Sequence, residues 1–131
     1  MADDTSTQKY IPGVCNIGPQ ELKSRKKSVI IGIILTLITV TMVHYYQPAE
    51  KLVHLAVFIP LCVVFISGLQ VIFRFCVAFG LLGMFSFNGE RHKMTADQKD
   101  YLKADQIMAI KLILGGAALS AIITAFYYCL Q

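Results

Sequence analysis

Few side chains in this chain combine the type and spacing that catalysis requires. The sequence contains no GxxxxGK[ST] phosphate loop, no HExxH zinc motif and no GxSxG nucleophile motif. Its long apolar runs contain no acidic residue, so they lack the paired carboxylates of a proton or cation relay. The four cysteines show no CxxC spacing, which argues against a zinc site or a disulfide framework. We therefore expect a protein that is not an enzyme and has no resident cofactor.

His44 and His54 are the weak candidates for cofactor binding. They flank a short turn between two apolar runs. In neighbouring antiparallel helices their imidazoles would lie at one depth, where they could bind a haem iron or contact a quinone. The competing interpretation is that both are ordinary side chains at the membrane surface. A haem site predicts a visible absorption spectrum.

Two basic residues lie next to apolar sequence. Arg74 follows the run 52–73 and precedes a second run, 75–87. Inside hydrocarbon, an arginine marks a functional site and needs a carboxylate partner. Near the surface its guanidinium extends to lipid phosphates, which is the interpretation we favour, and Lys111 can do the same. The candidate carboxylate partners of Arg74 are Glu21, Glu90 and Asp105.

The segment 13–21 is more specified than the polar tail around it. Proline suits the first position of a helix, and an early glutamate complements the exposed amides there. The segment is predicted to be a helix lead-in or a docking peptide. Its cysteine could be acylated or redox-active, although it lacks a nearby thiol or an adjacent base. The residues concerned are Cys15, Asn16, Gly18, Pro19 and Glu21.

The elements that must position these residues are membrane helices. Hydrophobic residues make up 56% of the 131-residue chain and charged residues 15%, against roughly a quarter charged in soluble domains. Three uncharged or nearly uncharged runs, 28–46, 52–73 and 107–130, are long enough to cross a hydrocarbon core of about 30 Å. An all-α integral membrane protein with three transmembrane helices is the predicted fold.

Two stretches outside these spans need separate treatment. The run 75–87 has 13 residues, too few to span, so we predict an interfacial helix or a re-entrant segment; a tilted extension of the second span is the alternative. In the cytoplasmic loop 89–106, Thr95 and Gln98 fit a capping box that would start a helix leading into the third span. Pro60 is expected to kink the second span.

The distribution of basic residues predicts the orientation. We divide the chain into a tail and basic lead-in, 1–27, and a three-helix membrane domain, 28–130. Positive loops stay in the cytoplasm, so the N-terminus is predicted to be cytoplasmic and the C-terminus to lie on the opposite side, where Lys51 is the basic residue. The nine basic residues on the cytoplasmic side are Lys23, Arg25, Lys26, Lys27, Arg74, Arg91, Lys93, Lys99 and Lys103.

Small residues recur at helical spacing in the first and third spans. Helices in lipid associate by close backbone approach, so such stripes form contact surfaces. They could pack the three helices on each other or bind a second chain. One stripe on the third span consists of Gly116, Ser120 and Thr124, and the next of Ala117, Ala121 and Ala125. The first span repeats the pattern with Gly32, Thr36 and Thr39.

These features favour a small accessory or structural subunit that packs in a larger membrane complex or a homo-oligomer. The expected partners are membrane lipids with anionic headgroups and other membrane chains, and nucleic acid is not expected. A homo-oligomeric channel or transporter is the alternative, and a haem- or quinone-associated subunit is less favoured. The residues that would line a polar route are Thr36, Thr39, Gln70, Ser120 and Thr124.

Overall fold

The computed structural model describes residues 10–46, 49–87 and 90–130. Within them, three helical stretches are long and apolar enough to cross a membrane, which confirms the coarse prediction. The first is helix α1, Pro19–Tyr46. The second joins a 3₁₀ segment, Lys51–Val57, to helix α2, Phe58–Phe73, and the third ends with helix α4, Lys99–Cys129. Residues 1–9 of the predicted tail, the start of the 47–51 turn and Gln131 lie outside the described residues.

The helix starts follow the local sequence. Helix α1 begins at Pro19, as predicted, with Glu21 in its first turn. Thr95 and Gln98 form the predicted capping box, in which Gln98 Oε1 accepts the Thr95 backbone N–H at 3.0 Å. A 3₁₀ turn, Ala96–Gln98, leads directly into α4. The predicted continuity from this cap into the third span is therefore present.

Pro60 occupies the first turn of α2. Proline is tolerated in the first turn of an α-helix, where its missing N–H disrupts the hydrogen-bond pattern least. The chain changes from the 3₁₀ segment to the α-helix between Val57 and Phe58. The second span is thus two helical segments in succession, and its proline lies just after their junction.

Residues 75–87 were predicted to form an interfacial helix or a re-entrant segment, and the structure instead shows a short helix followed by a strand. Only Val77–Leu82, helix α3, is helical; Gly83 then adopts a left-handed backbone with φ of 71°. Strand β1, Met84–Phe87, follows and pairs antiparallel with strand β2, Glu90–Lys93. The all-α prediction missed this hairpin, and part of the predicted loop 89–106 is strand and helix.

Helix α2 is the central helix. It packs against both α1 and α4, which make little contact with each other in the described residues. Glycines permit both close approaches. A Cβ on Gly32 would lie 3.0 Å from the Val64 backbone nitrogen, and one on Gly116 would lie 3.0 Å from that of Ile66. The three helices form an open layer in which much of α1 is exposed.

Candidate functional site

Residues 10–18, here called the N-terminal strap, lie across the end of the helix layer where α1 begins, here called the strap end. The strap runs parallel to β1, with Ile17 opposite Ser86. The Gly18 N–H donates to the Ser86 carbonyl at 2.8 Å, and the Ser86 N–H donates to the Asn16 carbonyl at 2.9 Å. Buried Ile17 also packs with Cys76 and Phe79. The strap therefore extends the hairpin and contributes to its apolar core.

Asn16 joins the strap to the turn that precedes α3. Its side chain is 0% exposed. Asn16 Nδ2 donates to the Cys76 carbonyl at 3.0 Å, and Asn16 Oδ1 accepts the Cys76 N–H at 2.7 Å. A carboxamide carries both a donor and an acceptor, which this two-way contact requires. The backbone N–H and the carbonyl of buried Cys76 therefore both have a hydrogen-bond partner.

The turn between α2 and α3 is also held from within. Arg74 ends α2 in a left-handed conformation with φ of 51°. The Phe75 N–H donates to the Gln70 carbonyl at 3.0 Å, and the Arg74 N–H to the Val71 carbonyl at 3.4 Å, which is the Schellman pattern. Gln70 Oε1 accepts the Val77 N–H at 3.0 Å. Because left-handed backbone is unfavourable for arginine, these bonds explain how the turn is maintained.

Asp105 is the third anchor of the strap. Its side chain is 0% exposed. One carboxylate oxygen accepts the Tyr10 hydroxyl at 2.7 Å, and the other accepts the Gly13 N–H at 2.6 Å. The Tyr10 ring stacks on Phe85, with 4.5 Å between centroids. Burial and the hydrogen bond to Asp105 raise the pKa of Tyr10, which keeps its hydroxyl a neutral donor.

Gly13 is required at its position for two reasons. Its φ of 69° lies in the left-handed region, and a Cβ there would lie 3.3 Å from the carbonyl oxygen of Ala104. The strap backbone therefore passes directly over the start of α4. This close approach brings the Gly13 N–H within reach of Asp105.

Cys15 and Glu21 complete the predicted segment. The half-buried Cys15 thiol donates to the Ile17 carbonyl at 3.6 Å. Burial raises the pKa of Cys15, and the hydrogen bond to Ile17 and the charge of Arg74 offset only part of this. The thiol is therefore a poorer nucleophile than an ordinary cysteine. Glu21 accepts the Ser86 hydroxyl at 3.3 Å, so the predicted docking segment lies against its own chain.

The two histidines occupy different environments. His44 is exposed on α1, whereas His54 is buried, with its ring 6.1 Å from that of Tyr127. His54 Nδ1 also lies 3.1 Å from the Lys51 carbonyl. Their role in haem or quinone binding stays a prediction. In the part of the chain that the structure describes, no three His, Cys, Asp or Glu side chains cluster as metal ligands would.

The predicted helix-contact residues divide into covered and uncovered sets. Arg74 and Lys111 are both exposed, and their contact with lipid phosphates stays a prediction. Gly32, Gly116, Ser120 and Thr124 are buried between helices, Thr36 and Ala117 are half-buried, and Ala121 is exposed.

Most polar groups that were candidates for a solute route bond within the protein. The Thr36 hydroxyl donates to the Gly32 carbonyl at 2.8 Å, and the Ser120 hydroxyl to that of Gly116 at 2.8 Å. The Thr39 hydroxyl likewise donates to the Leu35 carbonyl, in the preceding turn of α1, at 2.8 Å. Thr124 differs, because its buried hydroxyl has no hydrogen-bond partner among the residues that the structure describes. The channel alternative stays a prediction.

Sequence reasoning missed Tyr10 and Ser86, and it considered Asp105 only as a partner for Arg74. Asp105 instead contacts the strap. Helical spacing could have revealed its burial, because residues three or four apart share one face of a helix. The buried residues of α4 are Asp105, Ala109, Leu112, Gly116, Ser120 and Thr124.

The site is thus a clasp of three anchors, Asn16, Ile17 with Ser86, and the Tyr10–Gly13 contact to Asp105. It joins four separate parts of the chain through paired polar groups and a small apolar core. Such an arrangement holds the strap end in one conformation. Comparisons with family models, with curated proteins and with solved structures find no match to this chain.

Proposed function

We propose that this chain is a non-enzymatic integral membrane subunit that packs through its helices against other membrane chains or further copies of itself. The observation that carries the proposal is a face of small residues on α4 that the chain's own helices leave uncovered. Gly116 is buried against α2, whereas Ala121 and Ala125 are exposed. Small residues allow the close backbone approach on which helix association in lipid depends.

A groove beside this face supports the same proposal. It encloses about 290 Å³ between the second span and α4. Its walls are apolar apart from the Thr124 side chain, so large side chains of a neighbouring helix could enter it. The lining residues are Leu55, Phe58, Ala121, Thr124 and Ala125.

The substitution Ala121→Phe tests this face. A phenyl ring would fill the groove and hold a partner helix away, so we expect loss of most of the associated species. The measurement is native mass spectrometry after purification from the native membrane in mild detergent. Leu119→Phe is the matched control, because two residues correspond to about 200° of helix rotation and place it on the other exposed side.

Two results would contradict the proposal. One is a wild-type protein that runs as a lone monomer and copurifies with nothing. The other is equal loss of association in Ala121→Phe and Leu119→Phe, which would mean that the small-residue face has no special role.

We further propose that the strap end faces the cytoplasm. The strap contacts bring the start of α1, the turn after α2, the hairpin and the start of α4 to one end of the layer, and these four parts together carry nine basic residues. Positive segments are retained in the cytoplasm. Reporters fused to the N- and C-termini should respond in opposite compartments, and a shared compartment would overturn both the orientation and the odd number of spans.

A further inference from the structure

We propose that a cleft between the β-hairpin and the start of α4 binds the headgroup of an anionic phospholipid. This hairpin cleft encloses about 270 Å³. Lys93 of β2 and Lys99 of α4 lie on its rim and are exposed, and its apolar wall includes Leu82, Met94 and Leu102. In the proposed lipid complex, the ammonium groups of Lys93 and Lys99 contact the lipid phosphate, and an acyl chain lies along Leu82.

The cleft lies at the depth of lipid headgroups. Leu102 precedes Ile107, the first residue of the third predicted span, by five residues. At about 1.5 Å per residue this is about 8 Å along α4. The headgroup layer extends about 5 to 8 Å beyond each face of the hydrocarbon core. A lipid in the surrounding leaflet therefore reaches the cleft without leaving the membrane.

The two lysines are available to an external anion. The ion pair found among the described residues is His92 with Glu90, at 3.8 Å, and neither Lys93 nor Lys99 takes part in one. Asp97 and Asp100 are close in sequence but form no salt bridge with either lysine in residues 90–130. Within residues 10–46, 49–87 and 90–130, the two exposed ammonium groups thus have no counter-ion. Basic pockets at membrane surfaces bind acidic headgroups.

The apolar wall selects a lipid over a free anion. Leu82 is 65% exposed and lines the same cleft as Lys93 and Lys99. An amphiphile with a phosphate at one end and a hydrocarbon chain at the other contacts both features. The charge of the two lysines and the apolar side chain of Leu82 together therefore favour an anionic lipid as the ligand.

The test uses the full-length protein in mild detergent, titrated with dioleoylphosphatidylglycerol and followed by native mass spectrometry. The variant Lys93→Gln/Lys99→Gln should bind the lipid at least tenfold more weakly, because each basic residue near a membrane surface contributes roughly fivefold. The matched control, Lys26→Gln/Lys27→Gln, removes the same charge from α1 and should weaken lipid binding less than threefold. Lys93→Arg/Lys99→Arg should restore binding.

Three further outcomes decide the proposal. Phosphatidylcholine in place of the anionic lipid should not compete, and inorganic phosphate at the same concentration should not displace the lipid. Equal weakening in both glutamine double variants would overturn the cleft and leave only attraction by net charge. Displacement by phosphate alone would overturn the lipid assignment in favour of a simple anion site.

Discussion

Replacing Asp105 by alanine will release residues 10–15 of the N-terminal strap and lower the free energy of unfolding by about 3 kcal/mol. The substitution leaves the Tyr10 hydroxyl and the Gly13 N–H without their acceptor. Each such group costs about 1 to 3 kcal/mol if it stays buried, so this part of the strap will detach instead. Detachment will be measured as faster hydrogen exchange of the amides in residues 10–15, whereas residues 16–18 keep their bonds to Cys76 and Ser86.

Cys15 provides a second measurement of the same event. Burial raises the pKa of its thiol in the docked strap, and only the thiolate reacts with maleimide. Once the strap detaches, the pKa falls towards its ordinary value and the thiol becomes accessible. Alkylation of Cys15 at neutral pH should therefore be faster in Asp105→Ala than in the wild type.

Two milder variants serve as controls. Asp105→Asn retains an oxygen that accepts the Gly13 N–H and gains an amide N–H that can donate to the Tyr10 oxygen. It should therefore lower the free energy of unfolding by only about 1 kcal/mol. Tyr10→Phe removes one hydroxyl and should lower the free energy of unfolding by about 1.5 kcal/mol. In a double-mutant cycle, Tyr10→Phe should add little to Asp105→Ala. An unchanged rate of Cys15 alkylation in Asp105→Ala would show that this carboxylate does not hold the strap.

The helical part of the fold could be predicted because its causes are local. Uncharged runs of about twenty residues have few alternatives to membrane helices. The start of α1 at Pro19 and the capping box at Thr95 and Gln98 depend on residues within one turn of each other. The physical reason for each element was therefore present in its own segment of sequence.

The strap end could not be predicted in the same way, because its contacts join distant residues. Tyr10 meets Asp105 across 95 positions, and Asn16 meets Cys76 across 60. One local pattern was overlooked: Asn88-Gly89 is the dipeptide most typical of two-residue hairpin turns, and it separates β1 from β2. The apolar composition of 75–87 concealed it, because a strand packed under a strap is as apolar as an interfacial helix.

The strap end and the helix faces would offer different kinds of surface to the proposed partner chains. At the strap end, polar groups in the clasp are paired within the chain, so a partner there must bind a fixed surface. In the membrane, the open layer leaves α4 and most of α1 accessible. Partner chains therefore have most of their available contact area between the helix ends, where association depends on close packing of small residues.

The close approach of α2 and α4 predicts opposite effects for two neighbouring glycines. A Cβ on Gly116 would collide with Ile66 Cγ1 and lie 3.0 Å from the Ile66 backbone nitrogen. Among the described residues, a Cβ on Gly115 would meet only Leu69 Cδ1, at 3.5 Å. Gly116→Ala should lower the free energy of unfolding by about 2 kcal/mol, because the helices must separate. Gly115→Ala should raise it by up to about 1 kcal/mol, since alanine favours helix over glycine. Unfolding by sodium dodecyl sulfate in mild detergent measures both, and similar effects at the two positions would contradict the packing of Gly116 on Ile66.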